Sequence, residues 1–472
     1  MAFTASSNVY FHGSSSQAGL GLLGVIKPAA GNETSSSLVS FTDTLSRNTA
    51  AVRLGRYLTR RSDACVDPYR LPGMLSYNRM DPNATTWIPY YEEFHNGPVP
   101  AAAVYPHPLQ GAEPPLNDTA EDVVLAQKLA PPPWMARLVQ YYNVLRGKEL
   151  SDQQKQVHEF TNHDLQLINE MSWVQHRRVL LIGDSIDRLM AFWFCQEFGL
   201  QITEHGGSGV RQQSTRQTTA VCHVPLVNLT IVQWHMPSLF TFRPQWWWEK
   251  AMTVVPFEER IQDIYGPATA NMLRGMSDTA GPDLITFQSS VWDERAFREA
   301  QFDHDKTGMT LEEVEIKRKT MWSTAEQLKT SQLRFIAART RMVVRTIRDM
   351  FGDRVPFMYR TPTVRRDGKS SDLGMLSIDR LQRAVMASLD VEVFEWGRLT
   401  YGFPEEYKDT LHIARGGLSW LWADMILSYL FRASGGQFFQ NQIIKWPQPD
   451  RWYHTVQNWD VCHSWLVSTE SR

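Results

Sequence analysis

Two short motifs carry residue types that could do chemistry together. Gly183-Asp184-Ser185 follows the apolar run Val179-Leu180-Leu181-Ile182, and Asp409-Thr410-Leu411-His412 lies far downstream. Aliphatics running into a glycine mark a buried strand and a tight turn, and the spacing of Leu189, Phe192 and Trp193 behind them predicts a helix. Ser185 is then at the carboxyl end of a strand and at a helix N-terminus, where unpaired N–H groups can receive a developing negative charge. A serine so placed is a candidate nucleophile that needs a base. An Asp and a His three residues apart can lie on one side of a turn, so Asp409 can fix the imidazole tautomer while the other ring nitrogen of His412 faces the serine. Ser185, Asp409 and His412 are the expected catalytic set. The bland alternative is chance pairing, since the chain has 13 His and 50 acidic residues.

The elements that must position these residues alternate in type. Strands are expected at 199–203, 226–233, 355–360 and 391–396 and along the run that follows Pro282-Asp283, with helices at 135–145, 151–173 and 378–389, a long amphipathic helix at 325–351 and an apolar one at 418–431. Ser151-Asp152-Gln153-Gln154 resembles a capping box at the start of the second helix. Residues 311–319 are charged and read as a solvated helix. Such alternation implies an α/β fold with a mainly parallel sheet covered by helices on both faces. The order of the chain places His412 after the last strand and before the last helix.

Gly-Asp-Ser near the start of a domain, with Asp-x-x-His near its end, resembles the SGNH hydrolase superfamily. More narrowly it is similar to the PC-esterase branch, which contains trichome-birefringence-like and fungal capsule O-acetyltransferases and neurexophilin-and-PC-esterase proteins. The resemblance covers about residues 173–432 and implies an SGNH-like three-layer sandwich. It also implies roles for further residues. Arg188 matches an arginine of the plant members, Cys195 a cysteine they use in a disulfide, and Arg360-Thr361 an Arg-Thr pair. Arg360 is then a candidate for substrate binding or for stabilising the site, with a structural ion pair as the alternative. Gly206 or Gly207 stands where the superfamily places an oxyanion-hole glycine, although glycine is also the default residue of a tight turn. Gly281-Pro282-Asp283 leads into the segment that should supply a further oxyanion donor. Here the chain departs from the pattern, with Gln288 where asparagine is usual and Ser290 where glycine is. Gln offers the same amide from one methylene further out.

Composition bounds the rest. The chain has 472 residues and a net charge of −2, without blocks of like charge, which argues against nucleic acid as a partner. Seventeen Trp suit either a heavily packed core or surfaces on which sugar rings stack. Trp246-Trp247-Trp248 reads as a packing plug or as the wall of a substrate cleft. No cofactor motif and no metal-ligand spacing is visible, and Asp303-His304-Asp305 lacks the rest of a calcium loop. Cys65, Cys195, Cys222 and Cys462 permit two disulfides or four buried thiols. Asn32, Asn83 and Asn117 head sequons that fit glycosylation, as does Asn228, which falls in an expected strand. Four regions are expected: 1–60, a Ser-rich tail or stalk; 61–172, an irregular Pro- and Tyr-rich wrapping segment with helices; 173–435, the catalytic domain; and 436–472, a C-terminal extension.

The resemblance implies the Golgi lumen or secretory pathway, commonly behind an N-terminal anchor. The apolar run at 19–26 is far shorter than the roughly 20 residues that span a bilayer, so the anchor is missing from this sequence, or the compartment is reached otherwise, or the protein is cytosolic. The expected reaction is acyl transfer through an acyl-serine, with a carbohydrate acceptor and an acyl donor as partners, and O-acetylation of a glycan hydroxyl as the reading the resemblance favours. A carbohydrate acetylesterase, a non-catalytic glycan-binding module that keeps the fold, and a lipid esterase are the alternatives.

Overall fold

The computed structural model describes residues 67–89, 130–205, 218–241, 256–274, 281–320, 327–366, 372–433 and 436–445, apart from a few positions within them. They belong to one of two units of the chain, Asn48–Arg472. A short antiparallel hairpin, β1 (Gly73–Ser76) and β2 (Thr86–Pro89), precedes two helices, α1 (Trp134–Gln153) and α2 (Asn162–Met171). Next come β3 (Arg178–Gly183), α3 (Ser185–Gln196), β4 (Thr203–His205), β5 (Thr219–Val224), β6 (Leu229–His235) and β7 (Leu284–Phe287). Three helices follow, α4 (Val291–Asp305), α5 (Leu311–Thr320) and α6 (Thr330–Phe351), and then β8 (Phe357–Arg360), α7 (Asp372–Ser388), β9 (Glu392–Phe394) and α8 (Gly417–Ala433). A second hairpin, Gly436–Phe439 with Gln442–Lys445, lies in the expected C-terminal extension.

Seven strands form one sheet in the order β4-β5-β6-β3-β7-β8-β9. β6, β3, β7, β8 and β9 run parallel, and β5 and β4 continue the edge antiparallel. The fold is therefore α/β with a mostly parallel mixed sheet flanked by helices. Side chains of a strand alternate between faces, and β3 shows the consequence. Val179 and Leu181 enter a core with α1, α2, α3 and α8, whereas Leu180 and Ile182 enter a second core with α6 and α7. A strand buried on both faces must be apolar throughout, which is why its sequence reads as an unbroken run. At its start, the Asp283 carboxylate accepts the Arg178 N–H at 2.7 Å and an Arg177 N–H at 3.2 Å, which pins β3 to β7.

Several expected boundaries move. α1 runs through Ser151, whose hydroxyl donates back to the Gly147 carbonyl at 3.0 Å instead of capping a new helix. The capping box belongs to α2, where Thr161 and Asp164 satisfy each other's amides. The strand expected at 199–203 begins only at Thr203, because Gly199 adopts φ +70 and ends α3 while Leu200 N–H bonds back to the Cys195 carbonyl. β6 starts at Leu229, and Asn228 sits in the preceding turn with φ 52, not in a strand. β5 has no counterpart among the expected strands. α5 buries none of its residues, as its charge pattern implies.

α1 is docked by an unusual cap. Its N-cap is Pro133, which has no side-chain donor or acceptor, and Asp424 of α8 accepts the Met135 N–H at 2.6 Å in its place. Burial pushes the Asp424 carboxyl up to about 7, with that one amide pulling the other way. Cys195 of α3 and Cys222 of β5 are joined by a disulfide, with Cα atoms 5.5 Å apart. No described tryptophan is exposed, and Trp134, Trp173 and Phe431 pack against one another where α1 meets α8. Trp246, Trp247 and Trp248 lie outside the described residues. Among the described residues no helix is long and apolar enough to cross a membrane.

Candidate active site

The turn between β3 and α3 holds Ser185 at the first position of α3, where its own N–H has no intrahelical acceptor. Asp184 is the N-cap, accepting the Ile186 N–H at 2.9 Å. Gln233 of β6 fixes the turn from the side, donating to the Gly183 carbonyl at 2.9 Å. The loop after β9 supplies the facing residues. Its residues 407–413 close on themselves through the Tyr407–Ile413 bridge and the Lys408 N–H to His412 carbonyl bond at 2.9 Å.

These two loops bring together residues that are 227 positions apart in sequence. Ser185 Oγ lies 2.7 Å from His412 Nε2, and His412 Nδ1 lies 2.8 Å from Asp409 Oδ2. Asp409 Oδ1 also accepts the Leu411 and His412 amides at 2.9 and 2.8 Å. Burial would raise the Asp409 carboxyl, but those two amides and the imidazole outweigh it and hold its pKa below the ordinary carboxylate value. The carboxylate therefore stays ionised and can only accept. Nδ1 must then carry the proton, which leaves Nε2 as the acceptor facing the serine hydroxyl.

Beneath the turn is a buried ion pair whose two partners no sequence pattern links. Asp187, in the first turn of α3, receives both Arg360 Nε and Nη2 at 2.7 Å, and the two side chains are 1% and 0% exposed. Arg360 also lies over the Trp396 ring, 5.6 Å from its centroid. It is held inside the protein, so the ion-pair reading of Arg360 describes its place and the substrate-contact reading does not. Gly183 makes room for this arrangement: a Cβ there would stand 1.9 Å from Asp187 Oδ2. Asp184 shares the same dry region. Burial first, and then Asp187, push its carboxyl up to about 6 against the pull of Arg360.

The other expected residues are placed differently. Gln288 continues the β7 pairing, its N–H meeting the Ile182 carbonyl at 2.9 Å, so it does reach the sheet's carboxyl edge beside the Gly183 turn. Its amide nitrogen, however, donates to Ser290 Oγ, and its Oε1 has no partner among the described residues. The next residue, Ser289, donates to Asp293, which also accepts Ser238 Oγ at 2.6 Å and the Leu239 N–H at 2.9 Å. Asp293 thus ties the exits of β6 and β7 together. Burial raises its carboxyl to about 6 in spite of the bonds from Ser238, Ser289 and Leu239. Arg188 is engaged at the sheet edge, paired with Glu204 of β4. Gly206, Gly207, Asn32 and Asn117 lie outside the described residues, while Asn83 is exposed in a short turn, Pro82–Ala84. The side-chain amide nitrogen of Asn228 donates to His176 Nδ1 at 2.6 Å.

Asp187, Asp293 and Gln233 are the residues that sequence reasoning missed. The first had a signal, an acid in the first turn of a helix that is apolar from Leu189 to Cys195; the other two had none. Among the described residues no group of His, Cys, Asp and Glu is arranged to hold a metal ion. Comparison of the chain with protein-family models, with curated proteins and with solved structures finds no match.

Proposed function

We propose that this chain carries out acyl transfer through an acyl-serine at Ser185. The observation that carries the reading is the continuous chain of contacts Ser185 Oγ, His412 Nε2, His412 Nδ1, Asp409, at the carboxyl edge of a parallel sheet. His412 takes the hydroxyl proton of Ser185 as Oγ attacks the acyl carbonyl, and returns it to the leaving group as the tetrahedral species collapses. A second hydroxyl then loses its proton to Nε2 and attacks the acyl-serine, and as the C–Oγ bond breaks Nε2 gives that proton to the departing Ser185 Oγ, which restores the enzyme. In this reading the Ser185 N–H, at the first position of α3, donates to the oxyanion.

Three features support an SGNH-type, carbohydrate-directed version of this chemistry. The five parallel strands, numbered among themselves, run in the order 2-1-3-4-5, the order of a doubly wound fold, with Ser185 beside its switch point. The sequence motifs resemble the PC-esterase branch, whose plant and fungal members O-acetylate polysaccharides. The Cys195–Cys222 disulfide fits an oxidising compartment such as the secretory pathway. An acetylesterase differs only in that water is the second nucleophile. The engagement of the Gln288 amide with Ser290 favours a further reading, a glycan-binding module that keeps the fold.

The test incubates the protein and its Ser185→Ala variant with p-nitrophenyl acetate, with and without xylo- or manno-oligosaccharides, and follows acetyl by mass spectrometry. Acetyl on sugar that depends on Ser185 supports transfer, and release to water alone makes it an esterase. No Ser185-dependent turnover of any kind leaves the glycan-binding reading.

A further inference from the structure

α6 carries five arginines and a single acid, Asp349, in 22 residues. Its inner face packs Ile336, Val343, Val344 and Ile347 into the second core. Two arginines are used by the fold: Arg339 donates to the Leu239 carbonyl at 2.7 Å and pairs with Glu258, and Arg348 donates to the Leu389 carbonyl at 2.6 Å. The other three, Arg334, Arg341 and Arg345, are exposed and make no side-chain hydrogen bond or ion pair among the described residues. At 100° per residue they fall within about 40° of one another, a single row along the helix with steps of about 10 and about 6 Å. Ala338, also exposed, fills the row between the first two and leaves it open.

Like charges four apart on a helix repel, and Arg341 and Arg345 are so placed. Asp349 stands four residues beyond Arg345 but forms no ion pair with it. Among the described residues none of the three guanidinium groups is held in an ion pair. Its flank is apolar. Phe335 and Met342, each next in sequence to an arginine of the row, are 47% and 43% exposed. Phe335 is propped by Phe240 and Phe297, with ring centroids 5.5 and 6.4 Å away, so it is presented on a packed base.

We propose that this face of α6 docks on an anionic phospholipid surface, the three guanidinium groups meeting phosphates while Phe335 and Met342 enter the headgroup boundary. Charge complementarity selects an anionic partner, and the alternation of arginine with exposed large apolar side chains selects a bilayer surface over a purely polar polyanion. The helix lies along the surface and does not cross it. This surface does not depend on the chemistry of Ser185.

Sedimentation with extruded vesicles tests it, using the full chain, phosphatidylcholine vesicles, and phosphatidylcholine–phosphatidylserine vesicles. Binding is expected to the anionic vesicles alone and to weaken as salt is raised. At about fivefold per arginine, replacing Arg334, Arg341 and Arg345 together by Gln should weaken it on the order of 100-fold. Lysine at the same three positions should restore most of the affinity, which separates loss of charge from loss of fold. Phe335→Ser combined with Met342→Ser is expected to lower binding with the salt dependence kept. Equal binding by the Gln variant, no binding to anionic vesicles, or stronger retention on polygalacturonate than on vesicles would each overturn the proposal.

Discussion

Replacing Arg360 by Met should be among the most damaging single changes in the sheet. The guanidinium is fully buried and makes two 2.7 Å bonds to Asp187, which is itself 1% exposed. Removing one partner of such a pair leaves an uncompensated buried charge, at about 3–5 kcal/mol. That is a large part of the roughly 5–15 kcal/mol that holds a typical domain folded. Asp184 adds a pH dependence. Its carboxyl is already raised to about 6 by burial and Asp187, and Arg360 is what pulls it back. An acid whose folded pKa lies above its unfolded one binds more protons when folded, so its contribution is full below the unfolded value and is lost as pH rises through the folded one. Without Arg360 this titration moves higher, so the penalty should be larger at about pH 8 than at about pH 5. Denaturant unfolding at both pH values measures it. The double variant Arg360→Met with Asp187→Leu removes both charges and should recover most of the loss, since an apolar replacement of a buried pair is often neutral. A single-variant loss under about 1 kcal/mol, or a double variant as unstable as the sum of its parts, would refute the reasoning.

Gly183→Ala places a Cβ 1.9 Å from Asp187 Oδ2, so the carboxylate must leave Arg360; a loss of about 1–3 kcal/mol is expected, and a smaller one when Arg360 is already Met, read by the same unfolding experiment. Replacing Cys195 and Cys222 together by Ala opens a crosslink with a sequence separation of 27, and should cost about 3–4 kcal/mol, matched by reductant acting on the native protein. Asp409→Asn keeps a carbonyl for the Leu411 and His412 amides but loses the charge that fixes the imidazole tautomer; turnover of p-nitrophenyl acetate should fall about 10⁴-fold with stability changed little.

Local pattern made the centre of the molecule legible. The unbroken apolar run of β3, the glycine after it and the amphipathic spacing of α6 are each signals within one element; β3 formed where its run placed it, and α6 ends at Phe351 as its spacing implies but begins at Thr330, later than the expected 325. Boundaries were less legible because competing caps decide them: Ser151 and Thr161 both have a capping pattern, and only Thr161 stands where the chain has already left a helix. The order of Ser185, Asp409 and His412 is visible in sequence, but their contact depends on a loop that bonds to itself at both ends. Partners of buried charges were the least accessible. Asp187 and Arg360 lie 173 residues apart, and nothing in either neighbourhood names the other. The same holds for Asp293 and Ser238, and for Gln288, whose place at the sheet edge was legible while the direction of its amide was not.

The central claim is that His412 and Asp409 activate Ser185, and covalent labelling tests it most directly. The folded protein is treated with a fluorophosphonate, digested, and the modified residue located by mass spectrometry, alongside Ser185→Ala and His412→Ala. Label on Ser185 alone, absent in the first variant and slowed by orders of magnitude in the second, is the predicted result. No label on the folded wild-type chain, or label that His412→Ala leaves at the same rate, would contradict it.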